Sequence, residues 1–479
     1  MDLLVSFSML SFFLIIGMIL RAKIKFLQKI FLPASVIGGF IGLILGPIVL
    51  NNYAILPLPK EWINTYALLP GILIVPVVAT VPLSMKFKSW KRKKGATINK
   101  NNSKPSGHVL RNIAVMTGVL FIISQGQNFL GVFMNWLYKI TGFTTDTYPT
   151  FGIEVGGGFS GGHGTAGVLG SLLQSMNQPY WETAQGITVT TATFGMIGGI
   201  LIGVFIINMG ARKKYTKFLD SPGDFPEEMK KGYQSDVEKQ DLFGKETTLS
   251  SSIDTLAFHL AFVLGGSGLA YGLLQIIKYY NVPIISDVPI WAYAIIVMYL
   301  VWWIVCGLGL SWIIDDKITS KISSMFTDFA VVAAIASMPV QAVLSYFTPI
   351  LIMMIIIGAF TVFGTYWLSK KFFQDYWIEK SVAILGTSSG VFITGLLLLK
   401  MTDPEFKSPV LNEFSIGYSI NSVVAFIVYP FLFGLLVNSG LFQGILIPTI
   451  LIIIGALLIF IGKPKKLNNI KSRGALYDY

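Results

Sequence analysis

The chain predicts an all-α polytopic membrane protein made of two inverted-topology repeats. Each repeat holds five spans and a re-entrant or broken-helix hairpin, and one extra span follows at the C-terminal end. Three observations lead there. The first is composition: 53% of the 479 residues are hydrophobic and only 13% are charged, against about 25% charged in soluble domains. Apolar runs long enough to cross a hydrocarbon core of about 30 Å as helices recur along the whole length. The second is that Lys and Arg collect in alternate loops. The third is a glycine-interrupted apolar stretch at a similar place in each half.

The first span is read at 3–20. Asp2 precedes it, and Arg21, Lys23, Lys25 and Lys29 follow it. A secretory signal carries its positive charge before the apolar run, so the segment is expected to stay, with its N-terminus outside. Spans at 31–50 and 65–83 run outward and inward. The loop 84–111 contains KFKSWKRKK and no acidic residue, which assigns it to the cytoplasm. A span at 112–140 leads to TGFTTDTYPT, a loop without Lys or Arg, as expected outside.

Residues 149–176, PTFGIEVGGGFSGGHGTAGVLGSLLQSM, come next. The following span, 183–209, runs into ARKK and must finish inside. The glycine-rich stretch therefore has to begin and end outside, as a hairpin or broken helix. Such backbone is tolerated at membrane depth only against protein or a watery cavity. Residues 211–252 mix Lys, Asp, Glu, Pro and Gly and read as a cytoplasmic linker.

The second half repeats the plan upside down. Spans are expected at 253–280, 289–314, 325–347 and 350–369. The second interrupted stretch, SVAILGTSSGVFITGLLLLKM at 381–401, is bracketed by Lys380, Lys400 and Lys407 and re-enters from the cytoplasm. A span at 414–437 and an extra one at 442–461 bring the count to eleven spans and two hairpins. The tail 463–479 lies inside. The units are thus an N-terminal repeat (1–210), a linker (211–252), an inverted C-terminal repeat (253–438) and an extra span with its tail (439–479). A sequence match supports the repeat. Gly170, Leu172, Leu173, Met176 and Pro179 align with Gly395, Leu397, Leu398, Met401 and Pro404 at an offset of 225 (395 − 170), which also pairs Gly161 with Gly386.

In inverted-repeat transporters the substrate site lies where the interrupted segments meet near the midplane. A broken helix presents free N–H groups at a helix N-terminus, which attract carboxylates. Hydroxyls and exposed carbonyls suit a hard cation such as Na+. The candidate binding residues are therefore Ser160, Gly161, Gly162, His163, Gly164 and Thr165 in the first hairpin. In the second they are Gly386, Thr387, Ser388 and Ser389. Asp328 is a candidate ion ligand beside Thr327. No intramembrane Arg is read in either half, so anion binding is expected to lean on backbone N–H groups. His163 either caps the hairpin or touches substrate, since no second His or Cys stands at metal-ligand spacing. Glu154, an acid just before the glycine run, either has a function or sits at the outer water boundary. His259 and Cys306 read as packed residues, and Gly199 with Gly203 as a helix-packing surface.

Other classes are weakly supported. The net charge of +12 lies in short loops, not on a basic face with interleaved aromatics, so no nucleic acid is expected. No GxxxxGK[ST] or HExxH occurs, so neither ATP drive nor metalloenzyme chemistry is indicated. A membrane channel or enzyme stays the distant alternative, and no cofactor is expected.

At FSGGHGTAGVLG, followed about thirty residues later by TATFGMIGGILIG, the sequence resembles the bacterial sodium/glutamate symporter family. The resemblance covers the overall plan from about residue 1 to 437. It implies a homodimer of inverted repeats in the plasma membrane, taking up glutamate with transported Na+. A di- or tricarboxylate carrier of the same architecture is the alternative. The second hairpin departs from the family: it reads GTSSGVFITG where a GxGATPTA-like run is typical. The span beyond Val437 is also additional, and the third span and first loop differ widely.

Overall fold

A computed structural model describes residues 2–29, 32–84, 107–144, 146–219, 228, 231–240, 242–280, 289–403 and 407–462. Among these, eleven helices are long and apolar enough to cross a membrane, and they fall on the eleven expected segments. This is a multi-pass α-helical membrane protein. Most of the basic loop 84–111, part of the linker and the tail 463–479 lie outside the described residues.

Helices α1 (Asp2–Lys23), α2 (Lys25–Lys29), α3 (Ala34–Leu45), α4 (Pro47–Leu50), α5 (Lys60–Ala79) and α6 (Gly107–Thr141) precede the first glycine-rich stretch. That stretch is α7 (Ile153–Ser175), and α8 (Trp181–Arg212) follows it. The second half contributes α9 (Thr255–Tyr279), α10 (Ile290–Gly307), α11 (Asp316–Ala336), α12 (Val340–Ser345) and α13 (Phe347–Phe372). Its interrupted stretch is α14 (Trp377–Ser388) and α15 (Phe392–Thr402). Then come α16 (Val410–Asn438), α17 (Leu441–Gly444) and α18 (Leu446–Gly462).

Three boundaries differ most from expectation. Helix α10 stops at Gly307, and Gly309 takes a positive φ of 78°. Helix α11 begins at Asp316 and ends at Ala336, nine residues before the expected start at 325 and eleven before the expected end. The side chain of Asp315 accepts the backbone N–H of Lys317 and of Ile318 at 2.9 and 3.2 Å. This cap satisfies donors that would otherwise be orphaned, so a polar first turn can open the helix. Asp328 is therefore more than three turns in, not one.

The helices sort into two packing groups. Helices α1, α3, α5, α9, α10 and α11 lean on one another, with α5 against α11 at the centre. Helices α6, α7, α8, α13, α14, α15, α16 and α18 make the second group, which contains both interrupted stretches. The additional span α18 lies along α6. A Cβ on Gly455 would stand 2.8 Å from the Gly118 carbonyl oxygen, and one on Gly462 would stand 2.8 Å from the Arg111 carbonyl oxygen. Small residues let helix backbones approach this closely in lipid, where dispersion does most of the packing.

The single-residue readings of the packed core hold. His259 is fully buried. Its Nδ1–H donates to the Thr255 carbonyl at 2.7 Å, and its Nε2 accepts the Asp315 N–H at 2.8 Å. Cys306 is buried and forms no disulfide. Glycines 195, 199 and 203 of α8 seat the second hairpin: Ser389 lies against Gly195 and Gly199, and Leu398 against Gly203.

Candidate functional site

Helix α7 is two helices joined at Gly162, whose φ of 63° and ψ of −158° are non-helical. This backbone region is essentially confined to glycine. The legs fold back on each other. A Cβ on Gly157 would lie 2.9 Å from Leu169 Cδ1 and 3.3 Å from Thr165 Cγ2, whereas a straight helix would hold residues 157 and 169 about 18 Å apart. The open end is closed by Tyr148 stacked on Tyr180, with centroids 4.2 Å apart. Glu154 is fully buried at that end, where Oε2 accepts the Gly152 N–H at 2.7 Å. It thus holds the base of the hairpin and does not face outer water.

Helices α14 and α15 form the second hairpin, with residues 389–391 at its tip. A Cβ on Gly386 would meet the Gly395 Cα at 2.8 Å. Its base is pinned by charge. Lys380 Nζ and a Glu413 carboxylate oxygen are 2.8 Å apart, both side chains 1% exposed, and Asn112 Nδ2 donates to the other Glu413 oxygen at 2.7 Å. Lys380 is therefore buried in an ion pair, unlike the cytoplasm-facing residue the sequence suggested. Glu379, also fully buried, accepts the Lys217 N–H at 2.9 Å.

The hairpin tips meet. The space beside the Gly162 Cα that a side chain would take is occupied by Val391, with the Gly390 carbonyl oxygen 3.3 Å away. Gln127 of α6 ties this junction to the bundle. Its Nε2 donates to Thr361 Oγ1 at 2.8 Å and to the Ser388 carbonyl at 2.7 Å.

The hairpins correspond in two registers. At their bases Ile153-Glu154 matches Ile378-Glu379, offset 225 (379 − 154). At their tips the offset is 229 (390 − 161 and 394 − 165). Thr165 Oγ1 packs on Gly161, and Thr394 Oγ1 stands 2.8 Å from where a Gly390 Cβ would be. The first leg of the second hairpin is thus four residues longer, about one helical turn. The two glycines paired at offset 225, Gly170 and Gly395, have different surroundings: Gly170 packs on Gln185, Gly395 on the Ala383 carbonyl.

Two cavities flank the tips, of about 810 and 560 Å³, sharing Gly164, Thr327 and Val391 as wall. Ser160, Gly161, Gly164 and Thr165 line the larger one, together with Gln125, Asn128 and Asn421. His163, Gly164 and Asp328 line the smaller one. His163 Nε2 also lies 2.9 Å from Thr193 Oγ1. Gly386, Thr387, Ser388 and Ser389 line neither cavity: they pack the hairpin leg, and Val391 and Thr394 face the cavities from the second hairpin. Arg21, at the end of α1, and Lys400 also stand on the smaller cavity's wall, where the sequence reading placed no arginine. The run SQGQN at 124–128 inside a span was the available signal for the α6 carboxamides. Arg21 gave none, because it sits where a cytoplasmic anchoring residue belongs.

Comparison with protein families adds to this geometry. The model for the sodium/glutamate symporter matches residues 1–377. The chain belongs to the sodium/glutamate symporter family. As a family member it is a secondary transporter of the symporter type. The matched region ends at Trp377, where α14 begins. The second hairpin, whose sequence departs from the family run, is therefore beyond it. No curated protein sequence matches the chain.

Proposed function

We propose that the chain imports glutamate or a related anionic amino acid together with Na+, across the plasma membrane, and that both hairpin tips contribute to one site. The observation that carries this reading is the contact of Gly162 with Gly390 and Val391 between two cavities. Each tip also starts a helix, at His163 and at Phe392. Two positive helix ends thus converge beside both cavities, which favours an anionic substrate there. The hydroxyl and carboxamide groups of Ser160, Thr165, Gln125 and Asn128 offer the neutral oxygens that a hard cation takes.

The inverted repeat is supported by packing that survives exchange of the halves. Helix α1 packs on α3 as α9 does on α10. Likewise α3 packs on α11 as α10 does on α5, and α6 packs on the first hairpin as α13 does on the second. The cavities open at the end where α1 and α5 finish and α11 and α16 begin. The Lys/Arg asymmetry makes that end cytoplasmic, so this conformation faces inward. A homodimer surrounded by lipid is the assembly that the family resemblance implies.

Uptake of labelled L-glutamate into proteoliposomes tests the proposal. An inward Na+ gradient should drive accumulation, and choline in place of Na+, at fixed membrane potential, should abolish it. Uptake unaffected by choline would refute the coupling.

A further inference from the structure

The two cavities differ in charge. Around the larger one stand serine, threonine, tyrosine, glutamine and asparagine, with no Asp, Glu, Lys, Arg or His among the described residues of its wall. The smaller one carries Arg21, Lys400, Asp328 and His163. From this contrast we infer that the smaller cavity recognises the substrate and selects an acidic α-amino acid over the same dicarboxylate without its amine. Arg21 and Lys400 face the two carboxylates, and Asp328 takes the ammonium group. The inference rests on the transport reading above and assigns its charges to residues.

The charge count is the first support. An acidic amino acid carries two carboxylates and one ammonium at neutral pH. Two cationic side chains and one carboxylate on the wall are its complement. An ion leaving water costs several kcal/mol unless it is paired, and the described wall of the larger cavity has no charged side chain to supply a partner.

Position is the second support. Asp328 lies twelve residues beyond the start of α11 at Asp316, about 18 Å along the helix. Its side chain is exposed on the cavity wall, and acids within membrane spans face cavities or partners. The Ser35 hydroxyl bonds to its carboxylate. A carboxylate has about four acceptor positions, so it keeps capacity for the ligand. Arg21 and Lys400 occupy the last turns of α1 and α15, toward the mouth, while His163 and Gly164 close the deep end beside the tips. A cavity of about 560 Å³ is in the range of small-molecule sites, about 300–1,000 Å³.

The test is equilibrium binding to the purified full-length protein in saturating NaCl, with L-glutamate and glutarate as probes. The wild type should prefer L-glutamate by about tenfold or more, the scale of one paired charge of about 1.4 kcal/mol. Asp328→Asn should weaken L-glutamate by that factor and leave glutarate unchanged, removing the preference. Arg21→Gln and Lys400→Gln should weaken both probes. Asp328→Glu, which keeps the charge, should retain the preference and covers the case in which the Asn variant does not fold. Thermal unfolding of each variant reports folding separately. Unchanged glutamate affinity and preference in a folded Asp328→Asn protein would overturn the inference and leave the transport proposal standing. Equal wild-type binding of the two probes would overturn the amine recognition. Binding of neither would overturn both.

Discussion

At the scale of single residues, the two hairpin glycines that flank His163 do different work. Gly162 has a backbone conformation costing about 1–3 kcal/mol in any other residue, and Val391 fills the space beside it. Gly164 is the opposite case: a Cβ there would meet nothing within 4 Å, because the residue faces both cavities. Gly162→Ala should therefore lower thermal stability and disturb the contact between the tips. Gly164→Val should leave the unfolding temperature within about 2 °C of wild type, a surface-like change of about 0.5 kcal/mol or less, yet abolish uptake by filling the shared wall. Measuring both properties for both variants separates the roles. A Gly164→Val protein that transports normally would remove Gly164 from the site. Little of this was legible in the sequence. The run GGHG announces an interruption, but only the folded structure shows which glycine turns the chain and which lines a cavity. The same limit applies to Gly386–Ser389, which pack the first leg up to the edge of the tip and line neither cavity.

At the scale of elements, the hairpin bases are held by buried polar groups on opposite sides of the fold. Glu154 caps the first through the Gly152 N–H, and the Lys380–Glu413 pair with Asn112 locks the second. Removing one member of a buried pair leaves a charge uncompensated and costs about 3–5 kcal/mol. Replacing both members by apolar groups is often neutral. Lys380→Met should thus unfold well below the wild type in detergent, and Lys380→Met combined with Glu413→Leu should recover most of the loss. A single variant as stable as the double would show that the pair contributes no coupling. The elements themselves were readable: hydropathy located every span, because lipid demands long apolar helices. The start of α11 was hidden, since the cap at Asp315 lets a helix open on the polar run DKITSKISS. The four-residue difference between the hairpins was hidden too. It shifts the internal match from 225 to 229 past the tip, and one sequence compared with itself shows a single register.

At the scale of the whole molecule, orientation and the additional span can be argued together. Helices α6 and α18 run antiparallel: Gly118 meets Gly455, and Arg111, seven residues earlier, meets Gly462, seven residues later. Helix α6 leaves the basic loop 84–111, which the positive-inside rule places in the cytoplasm. Running against it, α18 must return to that same side, and the tail that follows Gly462 begins there. The run GKPKK at its start agrees with a cytoplasmic position. Cysteine labelling tests this in a Cys306→Ser background, which removes the chain's one native thiol. A cysteine introduced at Ser472 in the tail or at Ser103 in the basic loop should resist an impermeant maleimide added to intact cells and react once the membrane is opened. A cysteine at Asp146, in the loop between α6 and the first hairpin, should react in intact cells. Because α6 and α18 are locked antiparallel, the sites at 103 and 472 must behave alike. Reaction of one but not the other would break the α6–α18 pairing, and reaction of both in intact cells would reverse the orientation of the whole bundle and with it the direction in which the two cavities open.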